Sequence, residues 1–116
     1  MVDINSKAYK GMLERRPLNV KVLWGNEQVG LVSGRDVYAA CKELGCAVLA
    51  ANCRNPLTIK GVLRAAKKLN AAVILEIAKS ETGYCLSNFD NLPAYAAKYS
   101  KELGNGVIFA MHVDHY

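Results

Sequence analysis

Three short apolar runs, each preceded by a helical segment, constrain the fold of this chain more than any other feature. The runs cover residues 47–51, 71–77 and 107–111, and each is continuous rather than alternating. Short continuous runs of this kind are typical of parallel strands that are buried on both faces. The pattern therefore predicts an α/β chain that contains a parallel βαβαβ unit.

The helical segments between the runs carry recognisable start and stop signals. Ser33 is placed to cap the first of them, and Gly45 is placed to end it. Asn55 followed by Pro56 is a favourable start for the second, because the proline gives up no N–H that the helix needs. Asn91 is predicted to cap the third. These signals agree with the apolar periodicity and fix the expected element boundaries.

Two architectures contain such a unit, the doubly wound open sheet and the (βα)8 barrel. Three strands are too few to close a barrel, and no helical segment follows the run 107–111. The pattern leaves both architectures open. It predicts the first part of a larger fold.

The first 29 residues are less regular. An amphipathic helix is expected to begin at residue 7 and to stop near Arg15, Arg16 and Pro17. Residues 20–24 form an apolar run that fits a strand or a segment plugging a barrel. Residues 25–30 are expected to form a turn, and they lack the Gly-Lys-Ser/Thr ending of a nucleotide-binding P-loop.

The composition of the 116-residue chain fits one globular domain. No apolar run approaches the roughly 20 residues that cross a bilayer, and the first residues lack the layout of a signal peptide. We therefore expect a soluble, cytoplasmic protein without a membrane partner. The cysteines show no CxxC spacing and are expected to be reduced, mostly buried thiols. They are Cys41, Cys46, Cys53 and Cys85.

The net charge of +5 raises the possibility of a nucleic-acid partner. However, Arg64, Lys67 and Lys68 lie opposite the apolar side of one predicted helix, and Lys98 and Lys101 do so on another. This placement is typical of solvated helix faces. An anionic metabolite suits the charge equally well, and no nucleic-acid partner is predicted.

Polar side chains stand where each predicted strand ends. Asn52 follows the first strand, residues 76–80 follow the second, and residues 112–115 follow the third. In either architecture the carboxyl ends of parallel strands meet at one edge of the sheet, where ligands bind. We therefore expect these three groups to form one site.

The ending His112-Val113-Asp114-His115 carries most of the chemistry. An imidazole such as that of His115 is a favoured zinc ligand, and a carboxylate such as that of Asp114 can act as general acid or base. Neighbouring residues on a strand point to opposite faces, so both can enter one site only if the strand ends near Asp114. His112 faces the same way as Asp114 and is predicted to support it. The alternative is a merely polar, solvent-exposed histidine pair.

Three further residues lie near the predicted strand ends. Glu76 is a carboxylate in a buried strand, and the favoured interpretation is a residue at the mouth of the strand that reaches water. Cys53 is expected to pack in the core rather than to act as a nucleophile. Asn52 is expected to hold a substrate hydroxyl or a phosphate oxygen.

Four segments together resemble the start of the class II, zinc-dependent fructose-bisphosphate aldolases. They are residues 30–37, 50–53, 61–66 and 112–115, and their order and spacing match over about three quarters of the chain. The resemblance implies a (βα)8 barrel that cleaves fructose 1,6-bisphosphate reversibly to dihydroxyacetone phosphate and glyceraldehyde 3-phosphate, as in glycolysis and gluconeogenesis. Zinc would polarise the ketone and stabilise the enediolate.

The resemblance also implies roles for single residues. Asp114 would be the acid/base acting on the C4 hydroxyl, His115 a zinc ligand and Asn52 a substrate contact. The family has a phosphate-binding serine shortly after strand two, where this chain has Ala78. Ser80 lies nearby and is a candidate substrate-binding residue. The family's other zinc ligands, a glutamate and two histidines, match nothing in this chain.

We therefore expect the amino-terminal portion of such an aldolase. Residues 1–116 would form a single partial domain, with an extension over 1–29 and the first three barrel strands over 30–116. The chain alone would be inactive, and its partners would be a phosphorylated sugar and either the remainder of the barrel or further copies. Two alternatives stay open: a non-catalytic partial-barrel module for binding or oligomerisation, and a tagatose-bisphosphate aldolase.

Overall fold

The computed structural model describes residues 2–24 and 29–116. Five α-helices, three strands and one 3₁₀ helix are formed within those ranges. In chain order they are α1 (Lys7–Glu14), α2 (Leu18–Trp24), α3 (Gly34–Leu44), β1 (Ala50–Asn52), α4 (Pro56–Lys68), β2 (Val73–Ala78), the 3₁₀ helix Lys79–Gly83, α5 (Asn91–Glu102) and β3 (Phe109–Asp114).

The strands form one parallel sheet in the order β1-β2-β3. This confirms the predicted α/β class and the parallel βαβαβ unit, which is consistent with the first part of a (βα)8 barrel. The register sets Asn52 beside Glu76 and Glu76 beside His112, while Ala78 lies beside Asp114. The residues expected to carry chemistry therefore share neighbouring positions at one edge of the sheet.

Helices α4 and α5 cover one face of the sheet. Their buried residues include Ile59 and Leu63 from α4 and Ala96 from α5, and they pack against Leu75 and Phe109 of the strands. These side chains are 0% exposed, so this face is the main core. Burying a Leu, Ile or Phe side chain contributes about 1.5–3 kcal/mol, which makes this face the chief source of stability.

Helix α3 packs on the opposite face. Val37 of α3 meets Ile74 of β2 and Ala110 of β3 in a second, smaller cluster, which Met12 of α1 joins from its edge. Strand residues alternate between faces, so Ile74 and Ala110 point to the same side as Glu76 and His112. The polar row and α3 thus share one face of the sheet.

The segment 30–32 runs beside β3. Leu31 forms a parallel bridge with Phe109, Val32 N–H donates to the Phe109 carbonyl at 2.9 Å, and Phe109 N–H donates to the Gly30 carbonyl at 2.9 Å. A Cβ on Gly30 would stand 2.0 Å from the carbonyl oxygen of Val107, so only glycine fits there. This close approach fixes the chain immediately before α3.

Most of the predicted helix signals are confirmed. Ser33 accepts from Arg35 N–H, and Gly45 ends α3 with φ 65°. The Asn55 side chain caps α4 by accepting from Thr58 N–H at 3.0 Å.

The predicted cap of α5 was wrong by position. Asn91 is the first helical residue, and Asp90 at the cap makes no side-chain capping bond. Instead, the Asn88 side chain accepts from both the Asp90 and the Asn91 N–H groups, at 2.9 and 2.8 Å. Asn91 returns the bond by accepting from Asn88 N–H at 2.8 Å.

Three other expectations need correction. The apolar run 20–24 belongs to helix α2 rather than to a strand or plug. Strand β1 is not buried on both faces, because Ala50 is exposed and Leu49 before it is 67% exposed. Strand β3 continues to Asp114, three residues beyond its predicted end at Met111. The turn expected over 25–30 lies largely outside the described residues, because 25–28 are not among them.

The prediction of mostly buried cysteines was wrong, because only Cys53 is buried, while Cys46 is exposed and the other two are partly covered. All four are free thiols in the structure, and their reduced state stays a prediction. Among the described residues, no helix is long and apolar enough to cross a membrane.

Candidate active site at the carboxyl edge of the sheet

A row of polar side chains crosses the sheet where the strands end. Asn52, Glu76 and His112 are register partners on successive strands, and Asp114 lies two residues beyond His112. Register partners in a parallel sheet point to the same face, and so do residues two apart on one strand. The folding of β2 against β3 is therefore enough to bring the carboxylates and the imidazole together.

His112 lies between two carboxylates. Its Nε2 is 3.9 Å from Glu76 Oε2 and 3.9 Å from Asp114 Oδ1. The side chains of Glu76 and Asp114 are 13% and 30% exposed, whereas that of His112 is 49% exposed. The two carboxylates are thus partly withdrawn from water, and the imidazole is the most exposed of the three side chains.

The backbone turns immediately after Asp114. Strand β3 ends at this residue, and His115 has a left-handed conformation with φ 50°. Histidine is among the residues that adopt this region more readily than most. The turn brings His115 Nε2 to 3.6 Å from Asp114 Oδ2, whereas His112 lies nearest the other oxygen, Oδ1. The condition for Asp114 and His115 to share one site is therefore met.

The remaining predicted site residues lie nearby but do not join this group. Asn52 continues the row on β1 and is exposed. Ser80 lies in the 3₁₀ helix directly after β2 and is also exposed. Glu76, His112 and Asp114 place one nitrogen and two oxygen atoms within 4.8 Å of one another, and His115 is not part of that set.

Glu76 takes a larger part than the sequence suggested. We expected its carboxylate to reach water at the mouth of the strand, but the side chain is mostly covered and faces His112. The available signal was positional, since Glu76 occupies the same face of β2 as His112 does on β3. Register between the strands cannot be read from one sequence, so the contact was missed.

An ion pair at the same edge was also missed. Arg54, which follows β1, donates from Nε to Glu81 Oε1 at 2.5 Å, and the other oxygen of Glu81 accepts from Ala78 N–H at 3.1 Å. The Arg54 guanidinium first, and the Ala78 N–H second, lower the pKa of Glu81. Because Glu81 is only 5% exposed, this pair anchors the 3₁₀ helix that carries Ser80 to the end of β2.

Cys53 is part of the core, as expected. It is 0% exposed, and its thiol donates to the Ala51 carbonyl at 3.3 Å. Burial raises the pKa of Cys53 to about 11. The thiol is therefore protonated at neutral pH, and a nucleophilic role would require the thiolate.

The arrangement supports two kinds of chemistry. Asp114 is a partly covered carboxylate between two imidazoles, which suits a group that takes and returns a proton. The imidazole of His115 is 83% exposed, so it is accessible to a metal ion. One imidazole is a partial ligand set, because zinc sites in enzymes use three protein ligands.

Comparison with known proteins gives two matches. The family model described as fructose-bisphosphate aldolase class-II matches residues 32–116, which include all of α3 to β3 and the residues after it. The fructose-bisphosphate aldolase of Treponema pallidum (strain Nichols) is 27% identical over 88 residues. That alignment covers 75% of this chain and 26% of the relative, so the chain spans about a quarter of the relative's length.

Proposed function

Because the family match extends over residues 32–116, this chain belongs to the class II fructose-bisphosphate aldolase family, and from that premise we propose that it supplies the acid/base group and one zinc ligand for aldol cleavage. The reaction is the reversible cleavage of fructose 1,6-bisphosphate to dihydroxyacetone phosphate and glyceraldehyde 3-phosphate. The observation that carries the proposal is the turn after β3, which sets His115 3.6 Å from Asp114.

Asp114 is proposed as the group that moves the proton. In the cleavage direction, the C4 hydroxyl must lose its proton as the bond between C3 and C4 breaks. A carboxylate oxygen of Asp114 would accept that proton and return it in the condensation direction. His112, with its Nε2 3.9 Å from Asp114 Oδ1, would hold the carboxylate in position and would not touch the reacting atoms.

His115 is proposed as a ligand of the family's metal, which is zinc or another divalent ion. When bound, the metal would polarise the substrate carbonyl as a Lewis acid. The exposed imidazole of His115 fits this role in its donor type and its accessibility. The further ligands of this ion would come from the remainder of the barrel.

Asn52 and Ser80 are proposed as substrate-binding residues. The Asn52 amide stands in the same row as Glu76 and His112, and can bond a hydroxyl or a phosphate oxygen. Ser80 lies on the 3₁₀ helix that Glu81 anchors, and its hydroxyl is exposed. A net charge of +5 favours an anionic substrate such as a sugar bisphosphate over a cationic one.

The organisation of the whole protein belongs to the same proposal. Residues 30–116 would be the first three strands of the barrel, and residues 1–29 an extension before it. The remaining strands, or further copies of the chain, would complete the sheet, and the enzyme would act in the cytoplasm on a phosphorylated sugar. A tagatose bisphosphate substrate differs in the stereochemistry at C4, and no feature of Asp114 favours one sugar over the other.

A binding or oligomerisation module is the second candidate. Within residues 2–24 and 29–116, only β2 pairs with β1, so the outer edge of β1 is open. Leu49 beside it is 67% exposed, and an open apolar edge is a surface on which another strand can add. A partner strand at this edge is compatible with both the aldolase and the binding module. A measurement of aldolase activity therefore has to distinguish the two.

The proposal is tested by transplanting the matched segment. Residues 32–116 would replace the corresponding segment of the Treponema pallidum fructose-bisphosphate aldolase, and cleavage of fructose 1,6-bisphosphate would be measured. We expect activity that falls by roughly 10²–10⁴-fold in kcat on Asp114→Asn. Glu102→Gln, at an exposed position of α5, is the control and should leave kcat unchanged.

Two results would contradict the proposal. One is a chimera that folds, binds zinc and cleaves the sugar at the same rate with or without the Asp114 carboxylate. The other is aldol cleavage by the 116-residue chain after chelation of all metal, because the proposed mechanism needs the metal.

A further inference from the structure

Glu76, His112 and Asp114 form a compact group of side chains that can bind a metal ion. The proposed function assigns these three side chains no joint role. They offer one imidazole nitrogen and two carboxylate oxygens, all within 4.8 Å of one another. Glu76 lies on β2, and His112 and Asp114 lie on the adjacent strand β3. The group is therefore held by the pairing of two strands rather than by a loop. Imidazole and carboxylate together suit divalent ions such as Zn²⁺, Co²⁺ and Ni²⁺.

The charge of the group favours a cation. Two carboxylates lie close together with side chains only 13% and 30% exposed, so their repulsion is poorly screened by water. The neighbouring basic side chains have other partners, since Arg54 is paired with Glu81 and Lys79 lies with its Nζ 4.7 Å from the centre of the Tyr116 ring. With a neutral imidazole the group carries a charge of −2, which a divalent ion would balance.

The distances come close to those around a bound ion. Ligand atoms about 2.0–2.2 Å from a tetrahedral zinc are about 3.3–3.6 Å apart. The two distances from His112 Nε2 are each 3.9 Å, and all three ligand atoms lie within 4.8 Å of one another, so the side chains need to close by about 0.3–1.5 Å. The His112 side chain is 49% exposed, which leaves the ring room to turn. The open side of the group would leave a coordination position for water.

We propose that this chain binds one divalent transition-metal ion through Glu76, His112 and Asp114, independently of His115. The inference goes beyond the proposed function, in which His115 alone is a ligand from this chain. Asp114 Oδ1 faces this group while Oδ2 faces His115, so the two positions meet at one carboxylate.

The test is calorimetric titration of the metal-free 116-residue chain with Zn²⁺, together with the visible absorption of bound Co²⁺. We expect one ion per chain. Glu76→Gln and His112→Gln should each weaken binding roughly tenfold or more, since even residues that only support a ligand change metal affinity by 10–100-fold. Asp90→Asn, at an exposed position before α5, should change it by less than about threefold, and His115→Gln should weaken it less than His112→Gln does, because His115 lies outside the group.

His115→Gln is the matched comparison for His112→Gln, since the chain has two histidines and they stand three positions apart. Asp90→Asn, at an exposed position before α5, controls for the loss of a carboxylate. Circular dichroism establishes whether each variant folds. His112→Gln should disrupt the core less than Glu76→Gln, because the His112 side chain is 49% exposed and that of Glu76 is 13% exposed. If Glu76→Gln does not fold, His112→Gln compared with His115→Gln decides the question.

The proposal is overturned if His115→Gln abolishes binding while His112→Gln retains it, because the ion would then lie at His115. It is also overturned if neither Zn²⁺ nor Co²⁺ binds the folded chain at millimolar concentration. Both outcomes are independent of the aldolase chimera, whose activity can fail for reasons that leave this site intact.

Discussion

Alanine at Gly30 should destabilise the protein, whereas the same change at Gly61 should stabilise it. A Cβ at Gly30 would lie 2.0 Å from the Val107 carbonyl oxygen and 3.0 Å from its carbon. Both are backbone atoms of a residue that is 1% exposed, so neither can rotate away. At Gly61, inside α4, nothing stands within 4 Å of the added Cβ.

The size of the effect at Gly30 follows from the contacts that must shift. Relieving the clash forces segment 30–32 away from β3 by an ångström or more, which strains the bonds of Phe109 N–H to Gly30 and of Val32 N–H to Phe109. Overpacking costs about 1–3 kcal/mol, and each hydrogen bond contributes about 0.5–1.5 kcal/mol. We therefore expect a loss of about 2–6 kcal/mol in the free energy of unfolding, against a total of about 5–15 kcal/mol for a domain.

At Gly61 the expected change has the opposite sign. Alanine in an exposed helix interior lowers the entropy of the unfolded chain and gains about 0.5–1 kcal/mol. Urea unfolding followed by circular dichroism measures both variants, and their double variant should show the sum because the sites share no contact. Equal stability of Gly30→Ala and the unsubstituted protein, with the expected gain at Gly61, would refute the close approach of segment 30–32 to Val107.

Two other predictions concern titration. Since the pKa of Glu81 is lowered in the folded protein, its contribution to stability is present above the unfolded pKa of about 4.5 and is lost as pH falls through the folded value. The stability lost on Glu81→Gln should therefore be larger at pH 7 than at pH 3 in urea titrations, and a difference independent of pH would contradict this. Burial and a pKa of about 11 should make Cys53 far slower to alkylate at pH 7.5 than the exposed Cys46, as measured by mass spectrometry of the intact and digested chain; equal rates would contradict it.

The elements that the sequence predicts well are those whose signals are local. Ser33, Gly45 and Asn55 act within four residues of their own positions, and each does what its type and spacing predict. Asn91 was misassigned because Asn88, three residues earlier, competes for the same N–H groups. Either asparagine satisfies the local rule, and only the path of the loop decides between them.

The errors in the strands have a different origin. The run 47–51 is as apolar as the run 71–77, but β1 lies at an edge and β2 lies between two strands. Burial of a strand depends on its neighbours in space, which the sequence of the strand itself does not contain. The pairing of segment 30–32 with β3 rather than with β1 is likewise a long-range contact that no local pattern reports.

In the candidate site too, contacts within one strand were predicted and contacts between strands were not. The alternation of side chains on one strand predicts that His112 and Asp114 share a face, and the strand ends where that prediction needs it to end. The contact of His112 with Glu76 depends on the register between two strands. The sequence therefore drew attention to Glu76 but did not predict that it contacts His112. The anchoring of the 3₁₀ helix by Arg54 joins residues 27 positions apart and has no local signal.

The positions of Glu76, His112 and Asp114 are set by the pairing of β2 with β3. They do not depend on which element covers the face of the sheet. In a (βα)8 barrel the helices lie outside and the opposite face of the strands points inward. Helices α4 and α5 lie on the face that would be outside, whereas α3 covers Ile74 and Ala110 on the face that would be inside. A closed barrel would thus require α3 to leave this face.

Such a movement would not change the pairing of Glu76 with His112 or of Ala78 with Asp114, because β2 and β3 alone set that register. The carboxylates and the imidazole would therefore keep their positions on the paired strands whether α3 or further strands cover the sheet beneath them.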